Sequence, residues 1–568
     1  MIRDAIAELI REGICRAQKA GELSPFEIPT ILVEHPKQAD HGDYATNVAL
    51  QLARAAQMAP PRIAQIIVQH LPPADYIGRV AVAGPGFINI TLAPIWIARQ
   101  VETIRAANMT WGNLDIGRGQ KAQVEFVSAN PTGPLHIGRT WGAVLGDTIA
   151  SLLEAAGYEV TREYYFNNAG RQMQILGQSV RARYLELIGR PAEFPEEGYQ
   201  GDYIWEIART IVEEQGTAWA EEDWPVFKER AEAWLFDDIR RTLERMGIYF
   251  DVWFNEYDLY TSSAIQKTVQ ALRERGYVYD KDGAVWFKAT AFGADKDRVL
   301  IKSNGEPTYR LPDIAYHVNK LERGFHRIIN VLGADHKDEY PDVIAGVRAL
   351  GYDADRIQVV IHQFINLVRE GKQVRMSTRR ANYITLDDLL DEVTITHPES
   401  GVTIPGKDPV RFMLLTRSPD SPMNFDLDLV TRQTNENPVY YVQYAHARIC
   451  SILRKAEEEG WQPDGPDGWE TGDVTLLTHP AELTLIRKML ELPEVIESAV
   501  EKLAPHQLSF YAMDLASNFH AFYRDCRVLS SDPADAALTR ARLKLVDASR
   551  ITLARVLGLM GMTAPERM

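Results

Sequence analysis

Apolar and polar positions along the chain alternate in blocks that switch between strand and helix periods. The clearest block runs from Lys121 to Asp147. Gln123 to Val127 is a short apolar run rich in β-branched and aromatic residues, and it reads as a buried strand. Asn130, Pro131, Gly133 and Pro134 then mark a turn. Ala143, Val144, Ile149, Leu152, Leu153 and Ala156 recur at helical spacing until Gly157 stops the pattern. Strand, loop and helix in that order place the loop at the mouth of a parallel sheet, where open α/β folds bind ligands.

The same reading extends to both sides. Before this block, MIRDAIAELIREGICRAQKAGEL is an amphipathic helix, and VAVAGPGFINITLAP is a strand pair turning at Gly84–Gly86. After it, EVTREYYFNNAGRQMQ runs from strand to helix with Asn167, Asn168 and Gly170 at the junction. Asn168 is read as a helix cap. Residues 181–300 read as an insertion of acidic helices and a hairpin unit, with turns at Asp282–Gly283 and Asn304–Gly305. Ile328 to Leu332 is a second buried strand, and it ends in Gly333, Ala334, Asp335 and His336. From about residue 435 onward the pattern is helical, broken by a Pro/Gly/Asp-rich loop at 460–473.

Composition narrows the class. A chain of 568 residues that is 45% hydrophobic has ample core for three to four domains. No apolar run is long enough to span a bilayer, and no signal peptide stands at the start. Cys15, Cys450 and Cys526 lie far apart, which argues against a disulfide framework and against a CxxC zinc site and fits a reducing cytoplasm. The net charge of −16 argues against uniform coating of nucleic acid but leaves room for a local basic face.

The candidate chemistry is phosphate chemistry. A helix N-terminus offers free N–H groups and the positive end of a dipole. Gly138 leaves room for a nucleotide close to the backbone, and His136 can donate a hydrogen bond to a phosphoryl oxygen. Gly333, Asp335 and His336, at the C-terminal end of a parallel strand, face the ligand crevice. Tyr309 and Asp313 stand four residues apart on one side of a helical turn. Downstream, VRMSTRRANYITLDDLL carries Arg375, Ser377, Arg379 and Arg380 on a loop entering a helix at Thr385 and Asp387. Such a cationic loop can close over ATP phosphates and steady a leaving pyrophosphate. Tyr440, Tyr441, Tyr444 and Arg448 recur at helical spacing, a mixture suited to unstacked RNA bases.

VEFVSANPTGPLHIG followed by GAVLGD resembles the first signature of class I aminoacyl-tRNA synthetases, in the form found in bacterial arginyl-tRNA synthetases. Arg139 stands where the family usually has His. The Arg375–Arg380 run resembles the second signature, with Arg375 and Thr378 at the two lysine positions. The resemblance continues through DLDLVTRQTNENPVYYVQYAHARICSILRKA to the closing PERM, and so covers the chain in order.

The resemblance implies a Rossmann-type doubly wound parallel sheet as the catalytic domain. An N-terminal α/β domain would precede it and a C-terminal all-α anticodon-binding bundle would follow. Boundaries are expected at 1–112, 113–395, 396–434 for a connecting segment, and 435–568. It implies that arginine is joined to its tRNA through an arginyl-adenylate, with ATP as substrate and Mg2+ arriving on ATP. A synthetase for another amino acid, or an impaired tRNA-binding paralogue, is the alternative. Glu125 and Asp313 would hold the guanidinium beside Tyr309, and Ser128, Asn130 and His136 the rest of the amino acid. ATP would meet His136, Gly138, Gly333, Asp335, His336, Arg375, Met376 and Ser377. Catalysis would fall to His136, Gly138, Arg139, Met376, Ser377, Arg379 and Arg380. The tRNA would meet Asn437, Tyr440, Tyr441, Tyr444 and Arg448. A cytoplasmic monomer is expected.

Overall fold

A computed structural model describes residues 1–374, 384–396, 401–465 and 468–568. The chain divides into two compact units. One comprises Met1–Gly112, Ala445–Glu494 and Asp514–Arg555; the other Asn113–Tyr444, Val495–Met513 and Val556–Met568.

The first unit joins an α/β module to helices. Strands Ile77–Ala83 and Phe87–Leu92 pair antiparallel across the glycine turn, and Tyr44–Thr46 adds to the second of them. Asp43 and Tyr44 face inward. The Asp43 carboxylate accepts from Leu92 N–H at 2.7 Å and from Arg487 at 2.6 Å. Buried Tyr44 donates to Glu494 at 2.8 Å, and Arg105 pairs with Asp547 at 2.9 Å. Asp43 and Tyr44 therefore tie the module to the helices after Pro480.

The second unit is built on a five-stranded parallel sheet: β1 (Lys121–Glu125), β2 (Glu159–Phe166), β3 (Val252–Asn255), β4 (Arg327–Gly333) and β5 (Ile357–His362). The spatial order is β5-β4-β1-β2-β3, a doubly wound sheet whose order reverses between β1 and β4. Buried β-branched and aromatic residues favour such strands. Helix α1 (Ile137–Ala155) crosses behind the sheet and is buried along almost its whole length. Glycine makes that approach possible: a Cβ on Gly146 would stand 2.2 Å from the Phe126 ring.

Edge strand β3 lies inside the stretch read as an insertion. Helices Arg171–Leu187, Asp202–Gln215 and Trp224–Arg245 pack around their own apolar core before it. The hairpin Val278–Lys281/Ala284–Phe287 turns at Asp282 and Gly283, both at positive φ, as the Asp-Gly pair predicts. Helix α2 (Arg310–Glu322) then returns the chain to the sheet, and α3 (Tyr340–Ala349) links β4 to β5.

The Asn168 expectation is corrected. Gly170 occupies the N-cap position of the following helix, and it is Asn167 that accepts from Ala169 N–H. Asn168 donates to Glu232 at 2.6 Å and accepts from Asn255 at 3.1 Å. That pairing uses both faces of an amide, which a carboxylate could not supply.

Candidate active site

The C-terminal ends of β1 and β4 open into a cavity of about 450 Å³, at the reversal of strand order. Glu125, Ser128 and Asn130 reach it from β1 and the loop beyond, and Arg139 from α1. Tyr309 and Asp313 come from the start of α2, and Gly333, Asp335 and His336 from the end of β4. These candidates share one space, while His136 and Gly138 are not among the residues that line it.

The first signature loop is strained and then capped. Val127 and Ser128 have φ of 66° and 44°, in the left-handed region that non-glycine residues avoid. The Ser128 hydroxyl supports this turn by donating to Glu125 Oε1 at 3.0 Å while accepting from Tyr165 N–H at 3.2 Å. Asn130 accepts from Asn167 N–H at 3.0 Å, tying the loop to the end of β2.

His136 is the N-cap of α1, and its Nδ1 accepts from Gly138 N–H at 3.1 Å. Burial, and secondarily the nearby Arg139 charge, lower its pKa, so the ring is neutral. A neutral ring accepting at Nδ1 carries its proton on Nε2, as a donor. A Cβ at Gly138 would meet the His136 ring at 2.7 Å, so that glycine makes room for the capping imidazole. Arg375, Met376, Ser377, Arg379 and Arg380 lie outside the described residues. Their downstream flank rejoins the first loop: Leu386 N–H donates to Leu135 O at 2.8 Å, and Thr385 bridges His136.

The cavity is strongly acidic. Among the described residues Asp313 has no cationic partner within ion-pair distance, and burial pushes its carboxyl up to about 8, helped by the charges of Glu125, Glu256 and Glu339. Tyr309, four residues earlier, is 79% exposed at the cavity mouth. Glu125 is in a different state: its Oε2 accepts from Lys320 Nζ at 2.6 Å.

Three functional candidates escaped the sequence reading. Glu256 lines the cavity and accepts from Tyr165 and Tyr260 hydroxyls at 2.8 and 3.4 Å. Lys320 lies beneath the cavity, and His317 lines it. The last two were detectable: Asp313, Tyr316, His317 and Lys320 follow i, i+3, i+4, i+7 spacing, a polar stripe on the inner face of α2. Glu256 gave no such signal, because it sits in a short turn after an edge strand.

In the C-terminal part, Tyr440 and Tyr444 stack with ring centroids 5.7 Å apart, on helix Pro438–Glu458. Arg448 lies over Tyr523 at 5.1 Å. The Asn437 expectation is corrected. It is 1% exposed, donates to Val430 and Arg432 carbonyls at 2.9 Å each, and accepts from Val439 N–H. Its amide is spent on starting the helix and is not presented to a base.

Residues 100–400 match the model of the class I tRNA synthetase (R) catalytic domain. Residues 1–92 match the arginyl tRNA synthetase N terminal domain, and residues 442–568 the DALR anticodon binding domain. Fold and cavity together therefore define a class I aminoacyl-tRNA synthetase. The arginine–tRNA ligase of Heliobacterium modesticaldum is 46% identical over 572 residues, covering 100% of this chain and 99% of the relative. That of Desulfotalea psychrophila is 47% identical over 573 residues, covering 100% of both. The solved Thermus thermophilus arginyl-tRNA synthetase shares the fold, with a TM-score of 0.74 at 23% identity over 100% of each chain. The chain belongs to the arginine–tRNA ligase family.

Proposed function

We propose that this protein joins arginine to its tRNA, with the cavity between β1 and β4 as the amino-acid seat. The arginine carboxylate attacks the α-phosphate of ATP, giving arginyl-adenylate and pyrophosphate. The terminal ribose 2′-hydroxyl of tRNA then takes the arginyl group and releases AMP. No covalent enzyme intermediate is needed, so the protein's work is positioning and charge stabilisation.

The observation that carries this reading is the unbalanced negative charge of the cavity. A guanidinium is always protonated and offers donors in a planar fork. Asp313 and Glu256 answer it with acceptors, and Tyr309 closes the mouth. An uncharged analogue such as citrulline would leave those carboxylates unpaired. Ser128 and Asn130, which line the same cavity, would hold the substrate's amino and carboxylate ends. His136, donating through Nε2, and Arg139 would stabilise charge growing on the phosphoryl oxygens. Gly333, Asp335 and His336 would border the nucleotide, and Arg375, Met376, Ser377, Arg379 and Arg380 would close over its outer phosphates.

Mg2+ would arrive on ATP. Among the described residues no group of three or more His, Cys, Asp or Glu side chains is spaced for a metal ion, and no step is assigned to it. The units at 1–112 and 435–568 would grip the tRNA, with Tyr440, Tyr441, Tyr444 and Arg448 on its bases. Among the described residues no helix is long and apolar enough to cross a membrane. A cytoplasmic monomer completes the reading, checked by light scattering. Charging of purified tRNA with each of the twenty amino acids tests the function: arginine alone should be esterified. Charging with another amino acid, or tRNA binding without charging, would overturn it.

A further inference from the structure

Beneath the amino-acid seat lies a buried ammonium group that the reaction scheme does not use. Lys320 is 0% exposed. Its Nζ donates to Glu125 Oε2 at 2.6 Å and to Asn330 Oδ1 at 2.7 Å, and it lies 4.2 Å from the centre of the Tyr316 ring. Those contacts match the donors of an ammonium, so the charge is fully engaged.

The contacts continue in both directions. The other Glu125 oxygen accepts from Ser128, on the strained turn of the first signature loop. Asn330 Nδ2 donates to His317 Nε2 at 2.7 Å, which leaves the His317 Nδ1 proton to donate to the Asp313 carbonyl at 2.7 Å. A single hydrogen-bonded chain therefore runs from Ser128 through Glu125, Lys320, Asn330 and His317 to the backbone of Asp313. It connects the loop on one side of the seat to the backbone of α2 on the other, by way of the paired strands β1 and β4.

Two consequences follow. A carboxylate with one oxygen on a buried ammonium and the other on a hydroxyl is poorly placed to hold a second cation. Backbone torsions of the Val127–Ser128 kind persist only where surrounding contacts enforce them. Glu125 supplies that enforcement through Ser128, and Lys320 pairs with its other oxygen inside the protein.

We propose that Lys320 is a positioning residue for the arginine site. It serves as the permanent counter-ion of Glu125 and holds the Val127–Ser128 turn in its substrate-ready shape. The guanidinium is thereby left to Asp313 and Glu256. This refines the role of Glu125 and rests on the amino-acid seat described above.

The test compares Lys320→Met, Glu125→Gln and the double variant Lys320→Met/Glu125→Gln with the unaltered protein in arginine-dependent ATP–pyrophosphate exchange with tRNA present. Each single change strands one buried charge. Each should raise the arginine KM by ~30-fold or more, and the ATP KM by less than about threefold. The double variant replaces both charges by neutral groups, and the introduced amide can still accept from Ser128. Its arginine KM should return to within about fivefold of the original.

A double variant no better than Glu125→Gln would overturn the proposal and make the Glu125 charge a direct ligand of arginine. An unchanged KM in Lys320→Met would overturn it as well. If Lys320→Met fails to fold, the comparison of Glu125→Gln with the double variant decides alone. Glu256→Gln separates this from the seat itself: its arginine KM should rise whatever Lys320 does, and no rise would remove the seat rather than the counter-ion.

Discussion

Arginine binding should be coupled to loss of a proton from Asp313. In the empty site that carboxyl is pushed up to about 8 by burial and then by the charges of Glu125, Glu256 and Glu339, with Lys320 opposing them. His317, on the same helix, is held neutral, its pKa pushed down to about 3 by burial and Lys320. Below pH 8 Asp313 is therefore mostly protonated, and only its ionised form can pair with a guanidinium. The apparent dissociation constant scales as one plus the ratio of protonated to ionised enzyme. Going from pH 8.5 to pH 6.5 should then weaken arginine binding by about 25-fold, approaching tenfold per pH unit at the acid end.

The sign for stability is opposite to the usual carboxylate case. The folded pKa lies above the unfolded value of 3.8, so the folded protein holds the extra proton and its stability falls as pH rises from about 4 to about 8. Arginine should offset that loss. The assay is calorimetric titration of arginine at several pH values, in buffers of different ionisation enthalpy. It should report release of close to one proton at pH 7 and none in Asp313→Asn. Binding that ignores pH over this range, or the same slope in Asp313→Asn, would refute the reasoning.

Other outcomes follow from single contacts. Gly146→Ala places a methyl 2.2 Å from Phe126, and should cost about 1–3 kcal/mol in thermal or denaturant unfolding. Asn168→Asp sets a second carboxylate against Glu232 and removes the donor at 2.6 Å, which should cost about 1–3 kcal/mol in the same measurement. Asp313→Ala should raise the arginine requirement by ~100-fold or more, with tRNA affinity unchanged in filter binding. Arg379→Ala should slow adenylate formation more than transfer in single-turnover kinetics; equal slowing would place that cation elsewhere.

Local chemistry made much of the site legible. The β1–loop–α1 segment needs only an apolar run, a turn and helical periodicity, and each is written in consecutive residues. The Asp282–Gly283 turn was equally plain, because positive φ selects those residue types. What the sequence hid was long-range partnership. Glu125 reads as an acceptor awaiting a substrate until Lys320, 195 residues away, is seen to occupy it. Asn168, read as a helix cap, is consumed by Glu232 and Asn255, 64 and 87 residues away; Asn437 is consumed by the nearby backbone of Val430, Arg432 and Val439, a local use that its helical flank did not reveal. Strand β3 is four residues of V-W-F-N between helices, too short to carry a period of its own.

The helix behind the first signature also depends on residues far along the chain. Arg411, fully buried, pairs with Asp147 of α1 and donates to the carbonyls of Met560 and Met246. Asp408, one turn earlier, accepts from Thr563 N–H at 3.0 Å. A ribosome making this protein will release the whole parallel sheet long before Met560 and Thr563 emerge. Until then the guanidinium beside Asp147 lacks one of its acceptors, so the nascent catalytic unit stays incompletely packed until that segment emerges.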